Sequence, residues 1–255
     1  MVSLDFFDRL EIVAGRSGLR MLDEAGNELH GVARPGQNLV ERALALCGQQ
    51  AQVTVYKRIP VGAGLGGGSA DAAAVLRWAG FGDTAAAASI GADVAFCLAG
   101  GRARVRGIGE VVDPLPYVCE QYTLQLAPVG CDTAAVYAAW DELGGPAGEH
   151  GNDLEAAALR VVPELAVWRD RLGDATGMTP HLAGSGSTWF VTGDHPGPGR
   201  IVATTTEAAA ATRGGDWWEC RWLLAPLVPG APKHLLVLLL AHALAALLDE
   251  RSHGA

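Results

Sequence analysis

A two-lobed α+β fold is what this sequence predicts, on three observations. The chain has 255 residues, 49% of them hydrophobic and 18% charged, which is enough for a real core and too apolar for disorder; that length suits one or two domains. Segments of strand-like alternation and of helical spacing are mixed along it, with no internal repeat. The proline-punctuated stretch Asp113 to Gln121 divides them where a lobe boundary would fall.

The elements follow in order. Residues Leu4 to Val13 alternate loosely as a strand, Leu19 to Leu22 continue after it, and the acidic turn Asp23 to Asn27 follows, which together read as an antiparallel opening. Beyond Pro35-Gly36, Asn38 is placed to cap a helix over Leu39 to Leu46. Gln52 to Lys57 is a strand that runs into the densest glycine cluster of the chain, and ADAAAVLRWAG directly after the cluster is a helix former. A short helix is coded over Thr84 to Ser89, and Asp93 stands just before the apolar stretch Val94 to Leu98. Ala103 to Arg106 and Tyr122 to Leu126 read as strands, then Thr133 to Leu143, Asp153 to Val162 and Glu164 to Leu172 as helices, and Trp189 to Thr192 and Ile201 to Thr205 as strands. The apolar run Leu235 to Leu248 is shorter than the roughly 20 residues a membrane crossing needs, and it reads as a buried or amphipathic helix in preference to a membrane contact.

Composition narrows the function. With 28 acidic against 19 basic residues the net charge is −9, the wrong sign for a protein that neutralises phosphate backbones, so nucleic acid is not an expected partner. Five cysteines, odd in number and without a CxxC pair, suggest neither a disulfide framework nor a zinc site. The histidines form no HExxH or His/Cys cluster, so no protein-bound metal is expected. The opening MVSLDFFDRLEI has no basic stretch followed by an apolar one, which leaves the reducing cytoplasm as the expected location and no membrane partner. Trp217, Trp218 and Trp222 lie close together without basic interleaving, a pattern that suits packing or a partner surface better than base stacking.

Chemistry is concentrated in Pro60-Val61-Gly62-Ala63-Gly64-Leu65-Gly66-Gly67-Gly68-Ser69-Ala70, five glycines in eleven residues that empty onto a helix N-terminus. Glycine lets the backbone approach an anion and adopt positive φ, as expected at Gly67, while the unpaired N–H groups of the first helical turn point at the same spot. A phosphate fits there. A flexible surface loop is the alternative, although linkers seldom run straight into a good helix. No GxxxxGK(S/T) occurs, and no dinucleotide fingerprint with its acid about 20 residues on. Asp93, taken alone, is equally a helix cap, a surface acid or a catalytic carboxylate.

The run GLGGGSADAA resembles the second motif of the GHMP kinase superfamily, and within it that of the 4-diphosphocytidyl-2-C-methyl-D-erythritol kinases. Further matches in the family's order are Lys57-Arg58-Ile59-Pro60, Gly91-Ala92-Asp93-Val94-Ala95-Phe96, Gly107-Ile108-Gly109-Glu110, and Gly184-Ser185-Gly186-Ser187 as the third, glycine-rich motif, so the resemblance covers Leu4 to Thr206. It implies a lobe of the ribosomal protein S5 domain 2 type over residues 1–118, a ferredoxin-like lobe over 119–206, and an appended tail over 207–255 that is dispensable for nucleotide binding. It implies ATP-dependent phosphorylation of the 2-hydroxyl of a cytidine diphosphate derivative of methylerythritol, in non-mevalonate isoprenoid synthesis. By the same resemblance Pro60 to Ala70 hold the triphosphate of ATP, with Ser69 near the phosphates and Mg2+, and Asp93 takes the proton from the substrate hydroxyl. Asn38 and Lys57 lie near the nucleotide base, and Gly184, Ser185, Gly186 and Ser187 pack against the glycine loop.

The sequence also departs from the family. Members carry an AK-x-N-L strand whose lysine assists transfer and an R-x-x-GYH stretch that helps to hold the cytidine; Met1 to Asp8 align with the part just after these, and His30, in Glu28-Leu29-His30-Gly31, does not replace the histidine. The expectation is a chain lacking that first strand, with a sheet edge left uncovered, that binds ATP and transfers phosphate poorly. The rival readings are a nucleotide-binding remnant impaired in catalysis and a kinase of the same superfamily for another small alcohol.

Overall fold

Every second residue of β4 (Ala51–Lys57) turns inward, so that Ala51, Val53 and Val55 form an apolar row that ends on a buried lysine, Lys57. The computed structural model describes residues 1–30 and 36–208, together with the backbone of two strands at 235–238 and 241–242. β4 lies between β2 (Arg9–Ala14), antiparallel to it, and β3 (Gly18–Asp23), parallel to it. On the outer side of β2 lies β11 (Leu235–Leu238), also antiparallel, which gives the order β11-β2-β4-β3.

Helices α1 (Leu39–Leu46), α2 (Gly67–Trp78), α3 (Thr84–Ala88) and α4 (Val94–Ala99) contribute to one core with β2 and β4. α2 is alanine-rich because it is buried nearly all round: Ala70 and every residue from Ala72 to Leu76 are at most 2% exposed. Small side chains let its neighbours approach closely, and alanine has the best helix propensity for a segment that must also present an open N-terminus. A two-stranded ribbon, β5 (Ala103–Arg106) with β6 (Val111–Pro114), follows.

The second sheet is antiparallel throughout. It comprises β1 (Ser3–Leu4), β7 (Gln121–Gln125), β8 (His181–Leu182), β9 (Trp189–Thr192), β10 (Arg200–Thr206) and β12 (Ala241–His242), in the order β12-β1-β10-β7-β9-β8. Helices α5 (Thr133–Glu142), α6 (Glu155–Val161) and α7 (Leu165–Thr176) bury Val136, Ala157, Leu165 and Leu172 against Leu182 and Trp189 of this sheet. A third cluster joins the two halves: Leu4 and Phe6 meet Ile59, just before the glycine stretch, Ala63 and Leu65 within it, Leu124 and Phe190 from the second sheet, and Ala183 just after β8. The glycine stretch is therefore anchored in the seam.

Several expectations are corrected here. The strand expected over Leu4 to Val13 is two strands in two different sheets, because the chain breaks at Asp5 to Asp8 to turn Asp8 inward, where its carboxylate accepts from the Arg58 and Ile59 N–H groups at 2.6 and 2.8 Å. The antiparallel opening does not form; β2 and β3 flank β4 on opposite sides. β6 and β8, four and two residues long, carry too few positions for alternation to show. The run Leu235 to Leu248 holds strands at 235–238 and 241–242 where a helix was expected, since a short apolar run fits either element and the edges of β2 and β1 offer unpaired backbone groups. With β11 on β2, that sheet edge is covered, contrary to the expectation of a bare one. Trp217, Trp218 and Trp222 lie outside the described residues. Among the described residues no helix is long and apolar enough to cross a membrane.

Trp189 is fully buried under α7 and α5, three residues beyond Gly186. Trp189→Ala is expected to lower unfolding free energy by about 3 to 5 kcal/mol, through lost transfer energy and the cavity left behind, as read from urea denaturation followed by circular dichroism.

Candidate active site

The 12-residue helix α2 starts without a side-chain cap. Its N-cap, Gly66, is in the left-handed region at φ 63°, a conformation that glycine adopts without steric cost, and no side chain bonds back to the first turn. The N–H groups of Gly67, Gly68 and Ser69 have no carbonyl partner within the helix, and the positive end of the helix dipole lies with them. An anion is the natural complement. This turn opens on a cleft of about 790 Å³ whose walls include the glycine stretch, Asn38, Asp93, Gly184 and Ser185.

The glycine stretch is a fixed strap, not a free loop. Gly62 O accepts from Cys131 N and Ala63 O from Thr188 N, both at 3.1 Å, so the second lobe holds it on two rungs. Gly64, at φ 74°, lies so close to the third glycine motif that a Cβ there would overlap the Ala183 carbonyl oxygen and come within 2.7 Å of Gly186 O. Gly67 differs from expectation: its φ is not positive, and what requires glycine is proximity, since a Cβ would be 3.1 Å from Ile59 and 3.2 Å from the Lys57 ammonium. Gly68 has open space instead, its nearest neighbour being a Leu39 methyl at 3.9 Å.

Asp93 is the N-cap residue of α4, but its side chain makes no capping bond. Its carboxylate is thus free to face the cleft, which disposes of the capping role. By surface area the residue is exposed, yet its carboxyl is crowded by the cleft walls, and this desolvation raises its pKa above the ordinary carboxylate value. Asn38 does cap α1, its Oδ1 accepting from Val40 N at 2.9 Å, which leaves Nδ2 as a donor on the cleft wall. Ser69 is buried in the first turn of α2, and Pro60 and Val61 form the outer rim.

Lys57 is tied down by two buried carboxylates. Its ammonium donates to Asp8 Oδ2 and, at 2.9 Å, to Asp71 Oδ2. Burial alone would lower the Lys57 pKa, but Asp71 and Asp8 outweigh it and hold the pKa above the usual value. Burial pushes Asp71 up to about 7, with Lys57 pulling it down and Asp8 pushing it further up. Among the described residues lining the cleft, Lys57 is the one lysine or arginine, and it faces the first turn of α2 from below.

Sequence reasoning missed the far wall. Thr133 Oγ1 lies 2.9 Å from Ser185 Oγ, and Tyr137 and Trp140 follow on the same face of α5 at helical spacing. Trp140 is held by its indole N–H, which donates to Pro146 O at 3.0 Å, while Tyr137 is half exposed. Asn152, buried, donates to Leu182 O at 2.8 Å and Gly184 O at 2.7 Å and so sets the third motif. Asp8 and Asp71 were missed as well. An acid inside the otherwise small and apolar GSADAAA run was the available signal for Asp71; nothing local distinguishes Asn152 from an ordinary helix cap.

Gly64 and Gly68 separate scaffold from cradle. Gly64→Ala is expected to cost at least about 2 kcal/mol of stability, from strain at positive φ and backbone overlap. Gly68→Ala should keep a wild-type melting temperature while weakening a non-hydrolysable ATP analogue at least about tenfold, measured by calorimetric titration, because its methyl group projects where phosphate would approach.

Three comparisons bear on this geometry. The pattern of the GHMP kinases N terminal domain matches residues 31–101. The 4-diphosphocytidyl-2-C-methyl-D-erythritol kinase of Paracoccus denitrificans (strain Pd 1222) is 35% identical over 246 residues, covering 87% of this chain and 86% of its own. That of Novosphingobium aromaticivorans is 34% identical over 230 residues, with 80% and 75% covered. A crystal structure of a 4-(cytidine 5'-diphospho)-2C-methyl-D-erythritol kinase superposes with a TM-score of 0.58 at 29% identity, covering 78% of this chain and 85% of that one. With its two-lobed α+β fold, its uncapped α2 and its third glycine motif seated on Gly64, the chain belongs to the 4-diphosphocytidyl-2-C-methyl-D-erythritol kinase family of GHMP kinases.

Proposed function

We propose that this chain transfers the γ-phosphoryl group of ATP to the 2-hydroxyl of 4-diphosphocytidyl-2-C-methyl-D-erythritol. The observation that carries this reading is a free carboxylate, Asp93, on the wall of the same cleft into which the uncapped N-terminus of α2 opens. The family's relatives are named for this reaction. ATP enters as its magnesium complex, and the metal neutralises phosphate charge when bound.

The residues divide the work. Pro60 to Ala70 hold the triphosphate, with the N–H groups of Gly67, Gly68 and Ser69 directed at it and the Ser69 hydroxyl as a further donor. Asn38 Nδ2 faces the nucleotide base. Gly184 to Ser187 keep the strap in its seat. The substrate's nucleoside lies against the α5 face that presents Tyr137 and Trp140, since an aromatic wall suits a flat base. Asp93 accepts the proton of the 2-hydroxyl as that oxygen attacks the γ-phosphorus in line; the O–P bond forms, the bond to the bridging oxygen breaks, and ADP leaves with the electron pair. The reducing cytoplasm is the proposed location, consistent with free thiols at Cys47, Cys97, Cys119 and Cys131.

Asp93→Asn keeps the shape of the carboxylate and removes its basicity. Turnover of the cytidylated substrate is expected to fall by about a hundredfold or more, with the dissociation constant of a non-hydrolysable ATP analogue changed by less than about threefold. A variant retaining more than about a tenth of the rate would remove Asp93 from the role of base.

The raised pKa of Asp93 sets the pH profile. Below that pKa the carboxyl is protonated and cannot accept the hydroxyl proton, so kcat/KM rises with pH through it and levels above. The acid limb is expected to have its midpoint above the ordinary value of 3.8, and the residual activity of Asp93→Asn should lack this limb. Rate measurements between pH 4 and pH 8 at saturating ATP decide it.

A further inference from the structure

The glycine strap begins at Pro60 and ends in the first turn of α2, and a single buried cluster holds both ends. At the entry, Asp8 Oδ1 accepts from Arg58 N and Ile59 N, the two backbone donors just before Pro60. At the exit, Asp71 Oδ2 accepts from the Lys57 ammonium at 2.9 Å, one turn into α2. Lys57 joins the two, since the same ammonium donates to Asp8 Oδ2. All three groups are buried, with side-chain exposures of 5% for Lys57 and 1% for each carboxylate.

We infer that Asp8, Lys57 and Asp71 form a clamp that sets the spacing between the start of the glycine strap and the first turn of α2, so that the phosphate cradle is shaped before nucleotide arrives; this rests on the kinase reading above. These are positioning residues, acting through the backbone of residues 58–69. The physical argument is one of cost. An ammonium and two carboxylates in a dry site carry a desolvation penalty that packed leucines would avoid, so their presence is explained by geometry they impose and not by net stability. An ordinary hydrophobic contact could slide by fractions of an ångström; charge-assisted hydrogen bonds to two backbone N–H groups and one helix residue fix distance and direction together. The cradle needs that precision, because Gly67 leaves only 3.1 to 3.2 Å between a would-be Cβ and Ile59 or Lys57, with no slack for the turn to rotate inward. Asp71 Oδ1 is buried without a hydrogen-bond partner, so the aspartate is held in the cluster through its other oxygen, by Lys57 and by its closeness to Asp8.

The test compares Lys57→Met, Asp71→Leu and Asp71→Asn with the wild-type chain. Lys57→Met and Asp71→Leu break the tie; Asp71→Asn retains an oxygen acceptor for Lys57 and serves as the conservative rescue. Expected for the first two is at least about a tenfold rise in KM for ATP and in the dissociation constant of a non-hydrolysable ATP analogue, exceeding any fall in kcat, with KM for the cytidylated alcohol unchanged. Asp71→Asn should stay within about threefold of wild type in all of these. In hydrogen exchange without nucleotide, the amides of residues 61–70 should exchange faster in Asp71→Leu than in Asp71→Asn, while those of residues 53–55 in β4 hold their protection. If Lys57→Met fails to fold, the two Asp71 variants carry the same comparison. Unchanged ATP affinity and unchanged exchange in Asp71→Leu would overturn the clamp, as would a fall in kcat of more than about a hundredfold at unchanged ATP affinity, which would put Lys57 on the transferred group instead. A wild-type chain that binds no ATP analogue would strike the kinase reading, and the exchange comparison would still judge the clamp.

Discussion

The approach of Gly64 to the third glycine motif, closer than any side chain would allow, is the constraint on which the rest of the site depends. It brings the backbone of one lobe into direct contact with that of the other, so the strap that would hold phosphate is at once part of the interface between lobes. The neighbouring rungs, Gly62 to Cys131 and Ala63 to Thr188, make the same connection by hydrogen bonds, and Asn152 braces the motif from behind. A loop fixed in this manner binds an anion without first losing conformational freedom, which is where a preformed cradle gains affinity.

Around this strap the two halves of the chain supply different chemistry. The first sheet and its helices give an uncapped helix terminus and a carboxylate, both set by the alanine-rich packing that brings α1, α2 and α4 together. The second sheet gives a wall of small glycine-motif groups and the aromatic face of α5. Charge placement follows the same division. Among the described residues, the one basic side chain at the cleft is neutralised by Asp8 and Asp71, so a triphosphate there would be attracted mostly by backbone N–H groups and the helix dipole, and by whatever metal accompanies the nucleotide.

What could be read in the sequence was what is encoded locally. The glycine stretch, α1 with its Asn38 cap, β4, α2 and the acid ahead of α4 each announce themselves within ten or so residues, and those are the parts that build the cradle. Contacts between distant segments were not legible. Asp8 reads as one more acid in LDFFDRLEI until β4 comes to lie beside it, and the parallel pairing of β3 with β4 leaves no mark in either strand's pattern. The apolar run at 235–248 shows the limit most plainly: its hydrophobicity marked a regular element, but not whether that would be a helix or the pair of strands described at 235–238 and 241–242.

The pairing of Ser3 with Thr206 and Leu4 with Thr205 has a consequence for how the molecule is made. Ser3 and Leu4 gain these strand partners only after some two hundred further residues have been added, and the cluster that buries Phe6 is complete only once Leu124, Ala183 and Phe190 have followed. Contacts of such long sequence separation carry the largest loop-closure entropy and form late. The first lobe therefore precedes the β10 partners of Ser3 and Leu4, and the join between lobes is sealed only after Thr206 has been made, which leaves this seam open to chaperones and proteases while the chain is young.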